Sequence, residues 1–251
     1  MVQNSKQRRV LTALALFSGI MGGFVTGAVA QTEKPVSTPS PHLMVFEQAR
    51  QLGDVNTAIM SLHQLLIADK EKYASYTDTL ALLYFDARNY AVCNTLCTLL
   101  LAKKPDKTVL MELKAASLRQ LGQAVESADL YGQLFTKTKN RMVGVELMQL
   151  QLGLKRLNEC LQTTDRVIST DPKEKEMQVT VPNADGQTVQ CVPINALAYY
   201  VQALVYDSQK ENGKTVLALE KALTAKPDFT MAQALQQKLR SPAKAGVVKK
   251  S

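Results

Sequence analysis

Histidine is nearly missing from this 251-residue chain, which has only His42 and His63, and cysteine is confined to four positions. Nucleophilic catalysis by a Cys–His pair would need a long-range approach that no spacing here indicates. Cys93 and Cys97 form a CxxxC run, but with two distant histidines this does not match zinc-ligand spacing. No glycine-rich phosphate loop occurs, and no pair of carboxylates stands apart from ordinary solvated ones. The chain therefore reads as a non-enzyme with no cofactor, no metal and no small-molecule substrate.

Acidic residues are missing from both ends. All 22 Asp and Glu lie between residues 31 and 237, where 22 of the 30 Lys and Arg balance them. The net charge of +8 comes from Lys6, Arg8 and Arg9 at the start and from Lys238, Arg240, Lys244, Lys249 and Lys250 at the end. A nucleic-acid binder would spread basic charge over a folded face, so nucleic acid is not an expected partner. The tail, residues 241–251, reads as basic and disordered; it serves solubility or touches acidic lipid or polysaccharide.

No charge interrupts the chain between Arg9 and Glu33. A positive start, a mostly apolar run from Val10 to Val25 and the small-x-small sequence Ala28-Val29-Ala30 predict an export signal over residues 1–30. Cleavage would leave Gln31 first; the alternative is an uncleaved anchor, because roughly 20 apolar residues span a bilayer. Both readings place the remainder across the membrane, with the bacterial periplasm the expected location. Membrane contact is expected only through an uncleaved N-terminus or the basic tail. Residues 31–41 read as a Pro/Ser-rich spacer.

From there the chain repeats itself. Ala58, Cys93, Ser127, Cys160 and Thr215 recur at steps of 35, 34, 33 and 55, and the last becomes 34 once a 21-residue insertion is removed. Four positions on come Leu62, Cys97, Tyr131, Thr164 and Leu219; seven on come Leu65, Leu100, Leu134, Val167 and Ala222. Ala81, Ala115, Met148 and Ala203 keep the same step, as do Tyr84, Leu118, Gln151 and Tyr206. Pro105, Pro172 and Pro227 close three units, since proline stops a helix. A period near 34 predicts stacked helical hairpins, each too small to bury its apolar face alone. Turns are expected at Gly53-Asp54, Arg88-Asn89-Tyr90, Gly122-Gln123, Lys155-Arg156 and Glu211-Asn212-Gly213.

This pattern resembles the tetratricopeptide repeat (TPR) family. The match is clearest at Tyr199, Ala203, Tyr206, Thr215, Leu219, Ala222 and Pro227, and next at Ala81, Tyr84, Cys93, Cys97, Leu100 and Pro105. Met148, Gln151 and Lys114 depart from it, and the unit at 42–72 has no closing proline. The resemblance implies an all-α, right-handed superhelix of about five hairpins over residues 42–229, with a capping helix at 230–240. Cys93 and Cys160 then lie two repeats apart, roughly 20 Å at helix-packing distances, beyond disulfide reach. Cys191 would reach Cys160 only if the insertion folded back. Residues 174–194 alternate on both sides of Asp185-Gly186 and predict an inserted β-hairpin. It packs on the outer edge, acts as an arm beside the groove or pairs with a partner strand.

In the TPR family the first helix of each unit lines a concave groove. The resemblance places Ser75, Asp78, Leu82 and Phe85 there, then Val109, Glu112, Ala116 and Arg119, then Met142, Val145, Gln149 and Leu152, then Leu197, Tyr200, Leu204 and Asp207. None is Lys or Asn, so the family's carboxylate clamp is not expected. Their apolar majority is covered either by a partner's protein or peptide segment or by the chain itself. His63 is expected on the solvated outer face. The sequence thus predicts an interaction or scaffold module of the cell envelope; the alternative is a self-associating structural component of an envelope assembly.

Overall fold

The structure, a computed structural model, describes residues 40–170 and 177–240. The expected signal (1–30), the expected spacer (31–41) as far as residue 39, Asp171-Pro172 and the basic tail fall outside the described residues. The last two residues of that spacer, Ser40 and Pro41, are the N-cap and first residue of a helix.

Five helical hairpins follow one another. They are α1 (Pro41–Leu52) with α2 (Val55–Ala68), α3 (Thr77–Asp86) with α4 (Tyr90–Lys103), and α5 (Thr108–Gln120) with α6 (Ala124–Thr138). Then come α7 (Arg141–Gly153) with α8 (Leu157–Ser169), and α9 (Ile194–Ser208) with α10 (Asn212–Ala225). A last helix, α11 (Thr230–Arg240), packs on α10. Each second helix also packs against the first helix of the following unit, so the hairpins form one solenoid.

Local chemistry sets the ends. Pro41 opens α1, where its missing N–H costs nothing. The Asp54, Asn89 and Asn140 side chains accept from the N–H groups of Thr57, Val92 and Met142 and so cap α2, α4 and α7. Every intra-hairpin turn carries one left-handed residue: Gly53 (φ 71°), Arg88 (58°), Gly122 (77°), Lys155 (57°) and Lys210 (61°). These keep the register of the repeat. In the fifth turn the left-handed residue is Lys210; Asn212 and Gly213 instead open α10, because the turn closes on the step set by the other four.

The repeated positions form the spine. Ala58, Cys93, Ser127, Cys160 and Thr215 are all fully buried, as are Ala81, Ala115, Met148 and Ala203 opposite them. Small side chains at these crossings let paired helices approach closely. Gly144 on α7 takes this furthest, with the Phe135 ring and Val167 packed where a Cβ would stand.

The insertion is a two-stranded antiparallel hairpin, β1 (Gln178–Pro182) and β2 (Val189–Pro193), with Val179 facing Val192 and Thr180 facing Cys191. Val179, Val181 and Val192 are buried in the main core while Thr180 and Cys191 stay outside, the period-2 pattern read from the sequence. Buried Arg141 braces the insertion's two ends. Its Nε donates to the Val167 carbonyl at 3.1 Å, and a terminal nitrogen donates to Asn195 Oδ1. All four cysteines are free.

Candidate functional site

The inner faces of α3, α5 and α7 meet around an open pocket of about 410 Å³. Phe85 of α3 and Val109, Glu112, Leu113, Ala116, Arg119 and Gln120 of α5 line it, with Tyr131 of α6 beneath and Glu146 of α7 beyond. Five of the residues carried over from the family pattern, Phe85, Val109, Glu112, Ala116 and Arg119, are thus brought together. Leu82, one turn from Phe85, is 45% exposed, and Val109 59%. Phe85 is held edge-on against Tyr90, ring centroids 5.3 Å apart.

Ion pairs order the rim. Arg119 is paired with Glu146, and Asp78 with Lys107 and, at 3.8 Å, Lys104. Arg119 and Lys107 are therefore already engaged by carboxylates, and Glu112 has no ion-pair partner among the described residues. Burial pushes the Tyr131 phenol above its ordinary value; nearby Arg119 opposes this and Glu112 adds to it.

Sequence reasoning missed Glu146. It chose Val145, one position earlier, but Val145 is buried and its neighbour faces the groove. The signal was present, since the same unit departs from the repeat at Met148 and Gln151. Gln149, Met142 and Leu152 on α7 are half-buried.

The other end of the inner face is covered by the chain itself. Leu197 and Tyr200 of α9 are buried; the Tyr200 ring lies 5.1 Å from that of Phe229, and burial raises its phenol. Asp207 is half-buried and pairs with Lys238 of α11 at 3.6 Å; Leu204 is half-buried too. Ala184, in the β1–β2 turn, shares a cavity of about 310 Å³ with Tyr200, Met231, Ala234, Leu235 and Lys238. The Ala184 N–H donates to Thr230 Oγ1 at 3.0 Å, and that hydroxyl donates to Asn183 Oδ1 at 2.9 Å. The hairpin is therefore latched to the start of α11, beside the end of the groove.

His63 departs from the expected solvated outer position. It is half-buried, hydrogen-bonded through Nε2 to the Tyr84 hydroxyl at 2.8 Å, because the next hairpin closes over it. Cys93 and Cys97 have their sulfurs 4.0 Å apart in the core; the neighbouring Cys93 and burial push the Cys97 thiol up. Burial alone pushes Cys160 up to about 12. Among the described residues, no three His, Cys, Asp or Glu side chains converge as metal ligands, and no helix is long and apolar enough to cross a membrane.

Solved structures with the same arrangement decide the fold. YrrB, a TPR protein with an unusual peptide-binding site, superposes with a TM-score of 0.59 over 78% of this chain and 91% of its own, at 15% identity. This is the tetratricopeptide-repeat fold. MamA aligns over 82% of this chain and 96% of its own, with a TM-score of 0.57 and 13% identity. No protein-family profile and no curated protein matches the sequence.

Proposed function

We propose that the chain is an exported, non-catalytic interaction module of the cell envelope that holds a segment of a partner protein in the open half of its TPR groove. The observation that carries this reading is the pocket between α3, α5 and α7. There an apolar floor of Phe85, Val109 and Ala116 stays accessible, while the equivalent surface on α9 is filled by the chain's own residues. Exposed contiguous apolar surface of this kind marks an interaction site. Glu112, without an ion-pair partner, favours a segment with an apolar anchor beside a basic residue. The peptide-binding site of YrrB lends the reading support by analogy of fold.

Leu82→Asp with Ala116→Arg tests it. Affinity capture from envelope fractions should lose its partner while the melting temperature stays unchanged; retention of the partner would overturn the assignment. Tyr200→Asp should instead lower the melting temperature, since that side chain is self-buried. Export rests on the N-terminal pattern, and N-terminal sequencing of the mature protein should begin at Gln31. Because α11 covers the last repeat, open end-to-end stacking is disfavoured; light scattering should give a discrete species.

A further inference from the structure

The second helices of the first two hairpins differ from the other three in charge. α2 contains no Asp, Glu, Lys or Arg, and α4 contains only its final Lys103. By contrast α6, α8 and α10 each carry both signs, as in Glu126 and Lys137, Glu159 and Arg166, or Lys214 and Glu220. Burial does not explain the neutrality, because Met60, Ile67 and Leu99 are 68%, 78% and 60% exposed.

Between these helices lies a cleft of about 470 Å³. One wall is His63, Leu66, Ile67 and Lys70; the other is Leu96, Leu99, Leu100 and Lys103. Leu66 and Ile67 of α2 and Leu96, Leu99 and Leu100 of α4 form the apolar part of the two walls. His63 lies one turn earlier on α2, Lys103 one turn after Leu99, and Lys70 just beyond the end of α2 at Ala68. Lys70, Lys103 and Lys104 gather at one end, and no acidic residue lines the cleft. Lys104 is 3.8 Å from Asp78, but that carboxylate has Lys107 as its nearer partner. Asp69, beside Lys70, is turned to the N–H of Lys72.

We propose that this cleft docks an amphipathic helix of another protein. Apolar side chains spaced i, i+3 or i+4 and i+7 lie between α2 and α4, and the acidic end of the helix meets Lys70, Lys103 and Lys104. A recess between two walls accepts a ridge of side chains, whereas a bilayer would be met by a projecting surface. The site is separate from the α3–α5–α7 groove and does not depend on it.

The probe is a phage-displayed library of amphipathic helical peptides, selected on the full chain and counter-selected on an Ile67→Glu, Leu99→Glu variant. Enriched peptides should carry the apolar spacing with Asp or Glu at one end. Their affinity should fall at least ten-fold in the counter-selection variant, with its melting temperature held. Lys70→Glu with Lys103→Glu should weaken acidic peptides and strengthen their Lys-substituted versions. The proposal is overturned by no enrichment, by basic peptides, by enrichment indifferent to Ile67 and Leu99, by flotation with anionic phosphatidylglycerol vesicles that these substitutions abolish, or by a self-association they abolish.

Discussion

The sulfur of Cys160 on α8 lies 3.3 Å from the carbonyl oxygen of Met148 on α7. One repeat earlier the Ser127 hydroxyl donates to the Ala115 carbonyl at 2.7 Å across the same crossing. Cysteine therefore stands where the repeat needs a small side chain with a weak donor, and its reactivity is silenced by burial. In the native protein a thiol reagent such as DTNB should titrate one fast equivalent, exposed Cys191; Cys93, Cys97 and Cys160 should react only on unfolding. The raised thiol also gives stability a pH dependence. Cys160 keeps its proton to about 12 in the fold against an ordinary 9.0, so the unfolded state releases the proton first. The stability it supports is complete below pH 9 and is lost as pH rises toward 12, and the raised phenols of Tyr131 and Tyr200 act in the same direction. Urea unfolding across this range should show the decline, and Cys160→Ser should flatten part of it.

Gly144 is the tightest point of the solenoid. A Cβ there would stand 2.4 Å from Val167 Cγ2 and 3.0 Å from the Phe135 ring. Alanine gains about 1 kcal/mol of helix propensity over glycine, but overpacking a filled core costs about 1–3 kcal/mol. The β-branched Val167 has little rotamer freedom with which to yield. Gly144→Ala should therefore lower the unfolding free energy by up to about 2 kcal/mol net. In a Val167→Ala background the same change should be neutral or favourable, and a double-mutant cycle by denaturant unfolding measures the difference.

The repeat was legible because it is written in local geometry. Helix pitch and a fixed packing distance force one small residue per crossing, so Ala58, Cys93, Ser127, Cys160 and Thr215 announce the stack and all prove buried. What the period does not carry is which parts of the groove the chain itself fills. That depends on the latch between the β1–β2 turn and Thr230, and on Phe229 reaching Tyr200, contacts between segments about 30 to 50 residues apart that follow no repeat. The same limit misplaced His63: its own helix suggests an outward side chain, and only the approach of Tyr84 from the next hairpin turns it into a wall of a cleft.

The five left-handed turn residues make a matched set in which two are glycine and three are not. Nothing lies within 4 Å of a Cβ added at Gly53 or Gly122, so a side chain there meets only the backbone penalty of positive φ. That penalty is about 1 kcal/mol for an ordinary residue. Arg88→Gly, Lys155→Gly and Lys210→Gly should each raise stability by up to about 1 kcal/mol, and Gly53→Ala and Gly122→Ala should lower it by a similar amount. Because the five sites are far apart, the effects should add. Thermal melts of the singles and of the triple glycine variant check both the sign and the additivity.

Thr230 joins the insertion to the end of the solenoid through one hydroxyl. That oxygen accepts from the Ala184 N–H, is hydrogen-bonded by the Gln190 amide at 2.7 Å and donates to Asn183. An isolated two-stranded hairpin is marginal in water, so β1 and β2 depend on this latch together with the buried faces of Val179, Val181 and Val192. Thr230→Val keeps the shape and removes the bonds, which should cost about 0.5–1.5 kcal/mol, because the Ala184 N–H is exposed and water can take the place of its acceptor. Amide exchange should then quicken across residues 178–193, and protease nicking should rise in the turn at 183–188. Far-UV circular dichroism should hold, because no helix depends on the hydroxyl. Unchanged exchange in the hairpin would mean that its valines alone hold it down, and Val181→Ala would then be the substitution that releases it.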